Sequence, residues 1–354
     1  MKIKKKLFCA LSAFALIVCA CLPSCAPATE KFTAYSLDYF DTATSITGYA
    51  QTKEQFDQVS GELLALLGEY HRLFNIYKRF DGLENLCTVN ELKDGEHRVV
   101  KVDRRIIDLL LYAKEMYELT DGKVNIAMGS VLSIWHDYRT AGLDEPWNAE
   151  LPPQELLDEA AKHTDINNLI IDEENSTVFI SDPQMKLDVG AIAKGYAVEM
   201  AAKYLEERNI FCYVINVGGN VRTVDTKPGG EKWSVGIENP GIESEADYIK
   251  YLKISDCSVV TSGSYQRYYT VNGKNYHHII DPLTLQPAQG YLSVSIVCRH
   301  SGMGDALSTA LFCMSYEDGA ALIDSIDGAE ALWTFPNGEI KTSTGFSAFE
   351  DKSK

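Results

Sequence analysis

The sequence has 354 residues, of which 45% are hydrophobic and 23% are charged, and its formal net charge at pH 7 is −17. These proportions are typical of a globular protein with a sizeable core, and they exclude a largely disordered chain. So large an excess of negative charge argues against binding to nucleic acid or to anionic lipid headgroups.

The N-terminus is typical of an export signal. Several lysines among the first six residues precede a short apolar stretch at residues 7–20, which is too short to span a bilayer comfortably. The sequence Leu-Pro-Ser-Cys that ends at Cys25 resembles a lipoprotein cleavage box, so we predict lipidation of Cys25 and anchoring on the extracytoplasmic face of the cell membrane. Lipidation of Cys21 and a plain secretory signal remain alternatives.

Two segments in the first half have apolar residues at every third or fourth position, which predicts amphipathic helices at residues 54–72 and 103–119. Pro152 and Pro153 suit the start of another helix. The pattern predicts further helices at 192–208, 304–314 and 317–325.

The second half is rich in short strand-like segments. Asn272-Gly273 is the strongest of the turn signals, because both central residues of a type I′ hairpin need positive φ. The predicted class is α+β with antiparallel sheet and packed helices. The predicted strands are 169–171, 177–180, 186–188, 211–217, 233–237, 248–254, 265–271, 274–280 and 292–297.

The cysteines after Cys25 have neither the even number nor the CxxC spacing of a disulfide scaffold or a zinc site. Three of them lie in apolar runs, where cysteine usually behaves as a small buried hydrophobe. The five residues are Cys87, Cys212, Cys257, Cys298 and Cys313.

Asp188 and Lys194 flank a short loop at a predicted junction between a strand and a helix. A helix N-terminus presents free N–H groups and a positive dipole end to anions, so Lys194 is a candidate phosphate contact and Asp188 a candidate ligand contact. On local pattern alone, a surface lysine and a helix-capping aspartate explain these residues equally well.

Asp305 and Thr309 are four positions apart in a predicted helix and therefore share one face. A carboxylate and a hydroxyl are hard oxygen ligands of the kind that suits Mg²⁺. An aspartate that only caps the helix or charges its first turn is the structural alternative.

His278 follows the predicted hairpin strand and titrates near neutrality, so it is a candidate general base or acid. A hydrogen-bonded structural histidine is the alternative. The paired glycines in Asn216-Val-Gly-Gly-Asn220 allow close approach to a ligand or a simple turn.

Taken together and in order, five sequence blocks resemble the signatures of the ApbE family, the FAD:protein FMN transferases. The likeness runs from about Tyr39 to Gly345, which is nearly all of the predicted mature chain. The blocks begin at Leu187, Asn216, Thr261, His278 and Asp305.

The resemblance implies a T-fold-like, two-part single domain with FAD in a cleft between the parts. It implies that Mg²⁺ is held by Asp305, Thr309 and the carbonyl of Ala191, with His278 and Asp305 as catalytic residues. It also implies that FAD contacts Phe40, Tyr77, Lys123, Val124, Asn125, Asp188, Lys194 and Ile279.

The implied reaction is Mg²⁺-dependent transfer of FMN from FAD to a threonine or serine of an exported or membrane-bound acceptor in an electron-transfer system, with release of AMP. An FAD pyrophosphatase and a non-enzymatic flavin-binding lipoprotein are the alternatives. The predicted organisation is a signal peptide at 1–24, a tether at 25–33, the ApbE-like domain at 34–346 and a polar tail at 347–354.

Two positions depart from the family pattern. Asn125 stands where an acid is usual, which removes one carboxylate from the expected surroundings of FAD or the metal. Leu285 stands where glycine is usual, so we expect either no positive φ there or a shifted turn.

Overall fold

The computed structural model describes residues 29–91, 99–241 and 246–353. The predicted signal peptide and the lipidation site Cys25 lie outside these residues. Within the described part of the chain, no helix has both the length and the apolar character needed to cross a membrane.

The predicted α+β class with antiparallel sheet is confirmed. One sheet of eight strands forms the frame, in the order β1-β2-β6-β7-β10-β13-β14-β15, and smaller sheets pair β11 with β12, β3 and β4 with β5, and β8 with β9. The strands are β1 (Glu30–Ser36), β2 (Thr44–Ala50), β3 (Val100–Lys101), β4 (Leu169–Asp172), β5 (Thr177–Ile180), β6 (Tyr213–Val217), β7 (Asn220–Val224), β8 (Trp233–Glu238), β9 (Tyr248–Ile254), β10 (Ser258–Gly263), β11 (Tyr268–Val271), β12 (Lys274–His277), β13 (Ser293–Cys298), β14 (Glu330–Thr334) and β15 (Ile340–Thr342).

Five predicted helices are present within a few residues of their expected ends, and the helix after Pro153 is short. The helices of the described residues are α1 (Lys53–Phe74), α2 (Leu86–Asn90), α3 (Arg104–Leu119), α4 (Gly129–Asp144), α5 (Gln154–Ala161), α6 (Ala193–Glu207), α7 (Ser301–Phe312) and α8 (Tyr316–Asp324).

Strand β13 lies deep in the large sheet, and all six of its residues are buried. Its alternate residues point to opposite faces. Val294 and Ile296 belong to the main core with α6 and α7, whereas Val297 packs in a separate cluster with residues of the β8–β9 sheet. The large sheet is therefore covered on both faces at this strand, which explains why both sets of alternate residues are buried.

Two hairpins form at the predicted glycine turns. Asn272 and Gly273 have φ of 50° and 79°, as a type I′ turn requires, and they join β11 to β12. Gly218 and Gly219 also have positive φ and join β6 to β7. Strand β7 after this turn was not predicted.

The predicted strand at 186–188 is wrong. Its backbone groups bond in two places. Leu187 pairs with the Asn90 side chain at 2.7 and 2.8 Å. The Lys186 carbonyl accepts from Gly129 and Asp188 donates to the Ile126 carbonyl, which gives one isolated parallel bridge between Lys186 and Met128. The segment is extended, but no neighbouring strand runs beside it.

Helix α4 was not predicted. Its N-cap residue Met128 makes no capping bond through its side chain, and the helix has no acidic residue in its first turn. The usual start signals of a helix are therefore missing from the sequence at this point.

The expectation that Leu285 avoids positive φ is wrong, because this residue has a φ of 60°; the alternative of a shifted turn stays a prediction. The left-handed region costs a residue with a Cβ about 1–2 kcal/mol. The Leu285 side chain is buried in a cluster with Trp135, and the Trp135 indole donates to the Leu285 carbonyl at 2.8 Å. Burial of the leucine thus offsets the cost of its positive φ.

The folded body is longer than the predicted range 34–346. Strand β1 begins at Glu30, inside the predicted tether, because it pairs with β2 along its whole length. At the other end, Phe349 and Asp351 exchange backbone hydrogen bonds with β9, so part of the predicted tail is ordered structure.

Candidate active site

A cavity of 510 Å³ collects residues from the whole length of the chain. We call its lining from α6, α7 and the end of β10 the helix-pair side, and its lining from α4, the β11–β12 hairpin and residues 278–282 the hairpin side. Every described residue predicted for the site lines this cavity: Phe40, Tyr77, Lys123, Val124, Asn125, Asp188, Ala191, Lys194, His278, Ile279, Asp305 and Thr309.

Asp305 is the buried charge of the helix-pair side, with only 3% of its surface exposed. Its Oδ2 accepts the backbone N–H of Gly195 at 2.8 Å, and its Oδ1 lies 3.3 Å from the Lys194 ammonium. Lys194 and Asp305 are thus an ion pair at the cavity wall.

A group of hydroxyls adjoins Asp305. Ser262 Oγ lies 2.8 Å from Ser308 Oγ and 3.5 Å from Thr309 Oγ1, and the Ser308 hydroxyl donates to the Asp305 carbonyl at 3.0 Å. Together with the backbone at Ala191, which also lines the cavity, these groups form an oxygen-only donor set. One carboxylate, a hydroxyl and a carbonyl fit Mg²⁺, which takes few protein ligands and keeps water and phosphate oxygens.

Asp188 lies at the start of the loop that leads into α6. Its Oδ1 accepts the N–H of Gly190 at 2.8 Å within that loop, whereas the N-cap residue of α6 is Ile192 and no side chain of the described residues caps the helix, so the helix-cap alternative for Asp188 is wrong. Asp188 also lines the cavity, where withdrawal from bulk water raises the pKa of its carboxyl. Asp188 is therefore placed at the cavity without capping the helix, and its contact with a ligand stays a prediction.

His278 is the accessible titratable group of the hairpin side. Its Nδ1 lies 3.2 Å from the Arg267 carbonyl, which can only accept, so Nδ1 carries the proton and Nε2 keeps its lone pair. Withdrawal from bulk water, followed by the positive charges of Arg267 and Arg139, lowers the pKa of His278. The imidazole is therefore neutral near pH 7 and able to accept a proton at Nε2.

Arg139 and Arg267 line the cavity and were not predicted. Within the described residues, neither guanidinium forms an ion pair; Arg139 bonds to His136 Nδ1 at 3.1 Å, and Arg267 donates to the Asp41 carbonyl at 3.1 Å. Two cations without a carboxylate partner suit an anionic or carbonyl-rich ligand.

Helical spacing is the signal that finds Arg139. His136 and Arg139 lie on one face of α4 with Leu132, and all three line the cavity. This signal becomes readable only once α4 is recognised as a helix.

Three further predicted residues each contact a different kind of partner within the protein. Tyr77 is 61% exposed and its ring stacks on His136 with 4.9 Å between centroids. Lys123 lies 3.3 Å from Asp281, with both side chains mostly buried. The Asn125 amide donates to the Thr164 carbonyl at 2.9 Å, a bond that an ionised acid cannot make.

The rim of the cavity near Phe40 is strained. Phe40 and Asp41 both have positive φ, at 55° and 51°, and such backbone costs roughly 1–3 kcal/mol per residue. His71 Nδ1 accepts the Phe40 N–H at 3.0 Å, and Gly218 lies so close to Thr42 that a Cβ there would clash. The rim is held in one conformation by contacts from outside it.

The cysteines lie away from this chemistry. The five thiols of the described residues are free, and all except Cys212 are buried. Burial raises the pKa of Cys298 and Cys313, so both stay protonated.

Comparison with known proteins matches residues 40–333 to the ApbE family. The FAD:protein FMN transferase of Klebsiella pneumoniae (strain 342) is 33% identical over 283 residues, which are 77% of this chain and 84% of that protein. The FAD:protein FMN transferase of Treponema pallidum (strain Nichols) is 34% identical over 260 residues, 70% of each chain. The crystal structure of the ApbE protein from Thermotoga maritima aligns with a TM-score of 0.77 at 30% identity and covers 91% of this chain and 100% of its own.

Proposed function

The chain belongs to the ApbE family, and we propose that it transfers FMN from FAD to a threonine or serine hydroxyl of an acceptor protein and releases AMP. One observation carries this proposal: the cavity holds a buried carboxylate paired with a lysine and also a neutral histidine whose Nε2 has no hydrogen-bond partner among the described residues. A phosphoryl-type transfer from a pyrophosphate needs both charge neutralisation and a proton acceptor.

Asp305, Thr309 and the Ala191 carbonyl would hold Mg²⁺, since their donor set fits that ion. When bound, Mg²⁺ supplies charge neutralisation for the FAD pyrophosphate. Lys194 adds a further positive charge, and the remaining contacts to FAD are proposed for Phe40, Tyr77, Lys123, Val124, Asn125, Asp188 and Ile279, which all line the cavity.

His278 is the proposed general base. Its Nε2 accepts the proton of the acceptor hydroxyl as that oxygen bonds to the phosphorus of the FMN half. The phosphorus–oxygen bond to the AMP half breaks, and AMP leaves with the bridging oxygen. The neutral state of His278 supports this role.

Hydrolysis of FAD to FMN and AMP is the second candidate activity. The His278 side chain is exposed at the cavity, so water has access to the same base. The balance between transfer and hydrolysis then depends on whether a docked acceptor excludes that water.

We further propose that the chain acts at the extracytoplasmic face of the membrane through lipidated Cys25, on an acceptor with an FMN-binding domain in an electron-transfer system. The lipoprotein-like N-terminal sequence supports this location. Cys25→Ala should move the protein from the membrane fraction to the soluble fraction, whereas retention of this variant in the membrane fraction would contradict the anchor.

The activity is tested with the soluble 26–354 fragment, FAD, Mg²⁺ and a candidate FMN-binding domain. We expect an acceptor that is fluorescent on a denaturing gel, heavier by the mass of FMN, and unlabelled when EDTA is present. Free FMN and AMP without a labelled acceptor would support hydrolysis, and intact FAD would leave only the flavin-binding alternative.

A further inference from the structure

Helices α6 and α7 are joined by two polar contacts one turn apart. In the first, Gly195 of α6 donates its N–H to Asp305 of α7 at 2.8 Å. In the second, Glu199 of α6 accepts the N–H of Ser301 of α7 at 2.8 Å. The two contact residues of each helix are four positions apart, which is about one turn. Gly195 precedes Glu199 in α6, but their partners follow the reverse order in α7, so the helices run antiparallel in a fixed register.

The same register brings together the proposed Mg²⁺ ligands. One turn beyond these contacts lies Thr309 of α7, and the loop just before α6 contains Ala191; both residues line the cavity. Gly195 allows the close approach, because a Cβ there would collide with the Ser301 carbonyl and with Asp305. A slip of one helix against the other would therefore separate Ala191, Asp305 and Thr309.

The contact at Glu199 is set in an unusual environment. Glu199 and Arg222 are only 4% and 2% exposed, and Arg222 Nε lies 3.3 Å from the Glu199 carboxylate. The other side of the guanidinium pairs with the partly exposed Glu206 at 2.9 Å, and Nη1 donates to the Thr223 carbonyl. Arg222 belongs to β7, so the large sheet holds Glu199 in place from below.

Buried ion pairs are weak sources of stability, because desolvation offsets their attraction. Their better-attested use is to fix one geometry against close alternatives. Here the pair presents one oxygen of Glu199 to the first N–H groups of α7, where a negative charge also favours the helix dipole.

We propose that Glu199, oriented by Arg222, is a positioning residue that sets the register of α6 against α7 and thereby aligns Asp305 and Thr309 with Ala191. This inference rests on the proposed function, since it assigns no contact with substrate to Glu199. It predicts an effect on metal affinity rather than on the fold.

The test compares Glu199→Gln with the control Glu206→Gln, which removes a charge from the exposed side of the same guanidinium. Substitution of a residue that orients a metal ligand typically lowers metal affinity or activity by about 10–100-fold. We expect Glu199→Gln to raise the Mg²⁺ concentration for half-maximal FMN transfer about tenfold or more and to weaken Mn²⁺ binding, measured by EPR with Mn²⁺ alone, to the same extent. The KM for the acceptor should stay unchanged, and Glu206→Gln should differ from wild type less than twofold.

A double variant, Glu199→Leu with Arg222→Met, removes the risk that a lone buried charge unfolds the protein. It should fold and keep its thermal midpoint, but it should share the metal defect because the Ser301 N–H has lost its acceptor. Wild-type Mn²⁺ affinity in this double variant, or an equal defect in Glu206→Gln, would overturn the positioning role. Failure of the wild-type chain itself to turn over FAD would count against the proposed function instead.

Discussion

The two sides of the cavity hold their charges in opposite ways. On the helix-pair side, Asp305 is buried and already bonded to Gly195 and Lys194. On the hairpin side, Arg139 and Arg267 form no ion pair within the described residues, and the His278 Nε2 is free. The first side is organised before a ligand arrives, whereas the second keeps its cations and its base available to the ligand.

This difference predicts how each side responds to substitution. A change on the helix-pair side should remove the reaction by disturbing a preformed arrangement. A change on the hairpin side should alter the rate or its pH dependence, because those groups act mainly after binding.

The largest effect is expected for Asp305→Ala. Loss of the proposed metal carboxylate should reduce FMN transfer about 10³-fold or more, since charge neutralisation is the main need of the reaction. Labelling of the acceptor, followed by mass spectrometry, measures this loss. Asp305→Asn is the matched control for the fold, because its amide oxygen still accepts the Gly195 N–H. This variant should be more stable than Asp305→Ala but equally inactive. Full activity in Asp305→Ala would remove the metal role.

His278→Ala should reduce FMN transfer about 10²–10⁴-fold, the usual contribution of a general base. FAD binding, followed by flavin fluorescence, should change little, because this base acts only as the new bond forms. His277→Gln, at the adjacent residue, is the control. His277 is buried, donates to the Ala288 carbonyl at 2.8 Å and has no role in the proposed chemistry. An unchanged rate in His278→Ala would place the base elsewhere.

Arg267→Gln should shift the pH profile of transfer. The charged groups that face His278 are Arg267 and Arg139, with the neutral ring of His277 beside them, and withdrawal from bulk water together with Arg267 lowers the pKa of His278. Removing Arg267 raises that pKa toward its usual value. As the pH falls, His278 is then protonated at a higher pH than in the wild type, so the acidic limb of the kcat/KM profile shifts to higher pH. Lys274→Gln, on the exposed part of the same hairpin, should leave the limb in place. An acidic limb that does not move in Arg267→Gln would separate His278 from the rate.

The smallest effect is expected for Leu285→Gly. This change loses a buried side chain but relieves the cost of positive φ, about 1–2 kcal/mol. Leu157→Ala, in the same core cluster but in a regular helix, should cost about 2–5 kcal/mol. We expect Leu285→Gly to lower the free energy of unfolding in urea by less than Leu157→Ala does. An equal or greater loss would show that the leucine backbone is not strained.

The sequence was most informative where chemistry and local structure coincide. The pattern around Asp188 and Lys194 predicted both the helix start and two cavity residues, and Asn272-Gly273 predicted a hairpin that the structure contains. The proposed roles of these residues remain predictions.

The sequence was least informative where distant partners decide the structure. Residues 186–188 look like a strand, but their partners come from Asn90, Ile126 and Gly129. Helix α4 lacks start signals, so Arg139 could not be placed at the site. Leu285 keeps a positive φ because Trp135 and its buried cluster, far away in sequence, compensate for the cost.

The pairing of β2 with β6 has a consequence for the order of folding. Strand β2 has one partner, β1, next to it in sequence, but its other partner, β6, comes from the middle of the chain, where Val217 pairs with Thr44. Contacts between such distant segments slow folding, because the loop between them must close before they contribute. The strained rim at Phe40, which directly precedes β2, therefore reaches its place only after β6 has been made, and the cavity is complete only when Thr309 has followed. Substrate binding is thus a late event in the life of each newly made chain, available only to molecules that have closed the loop between β2 and β6.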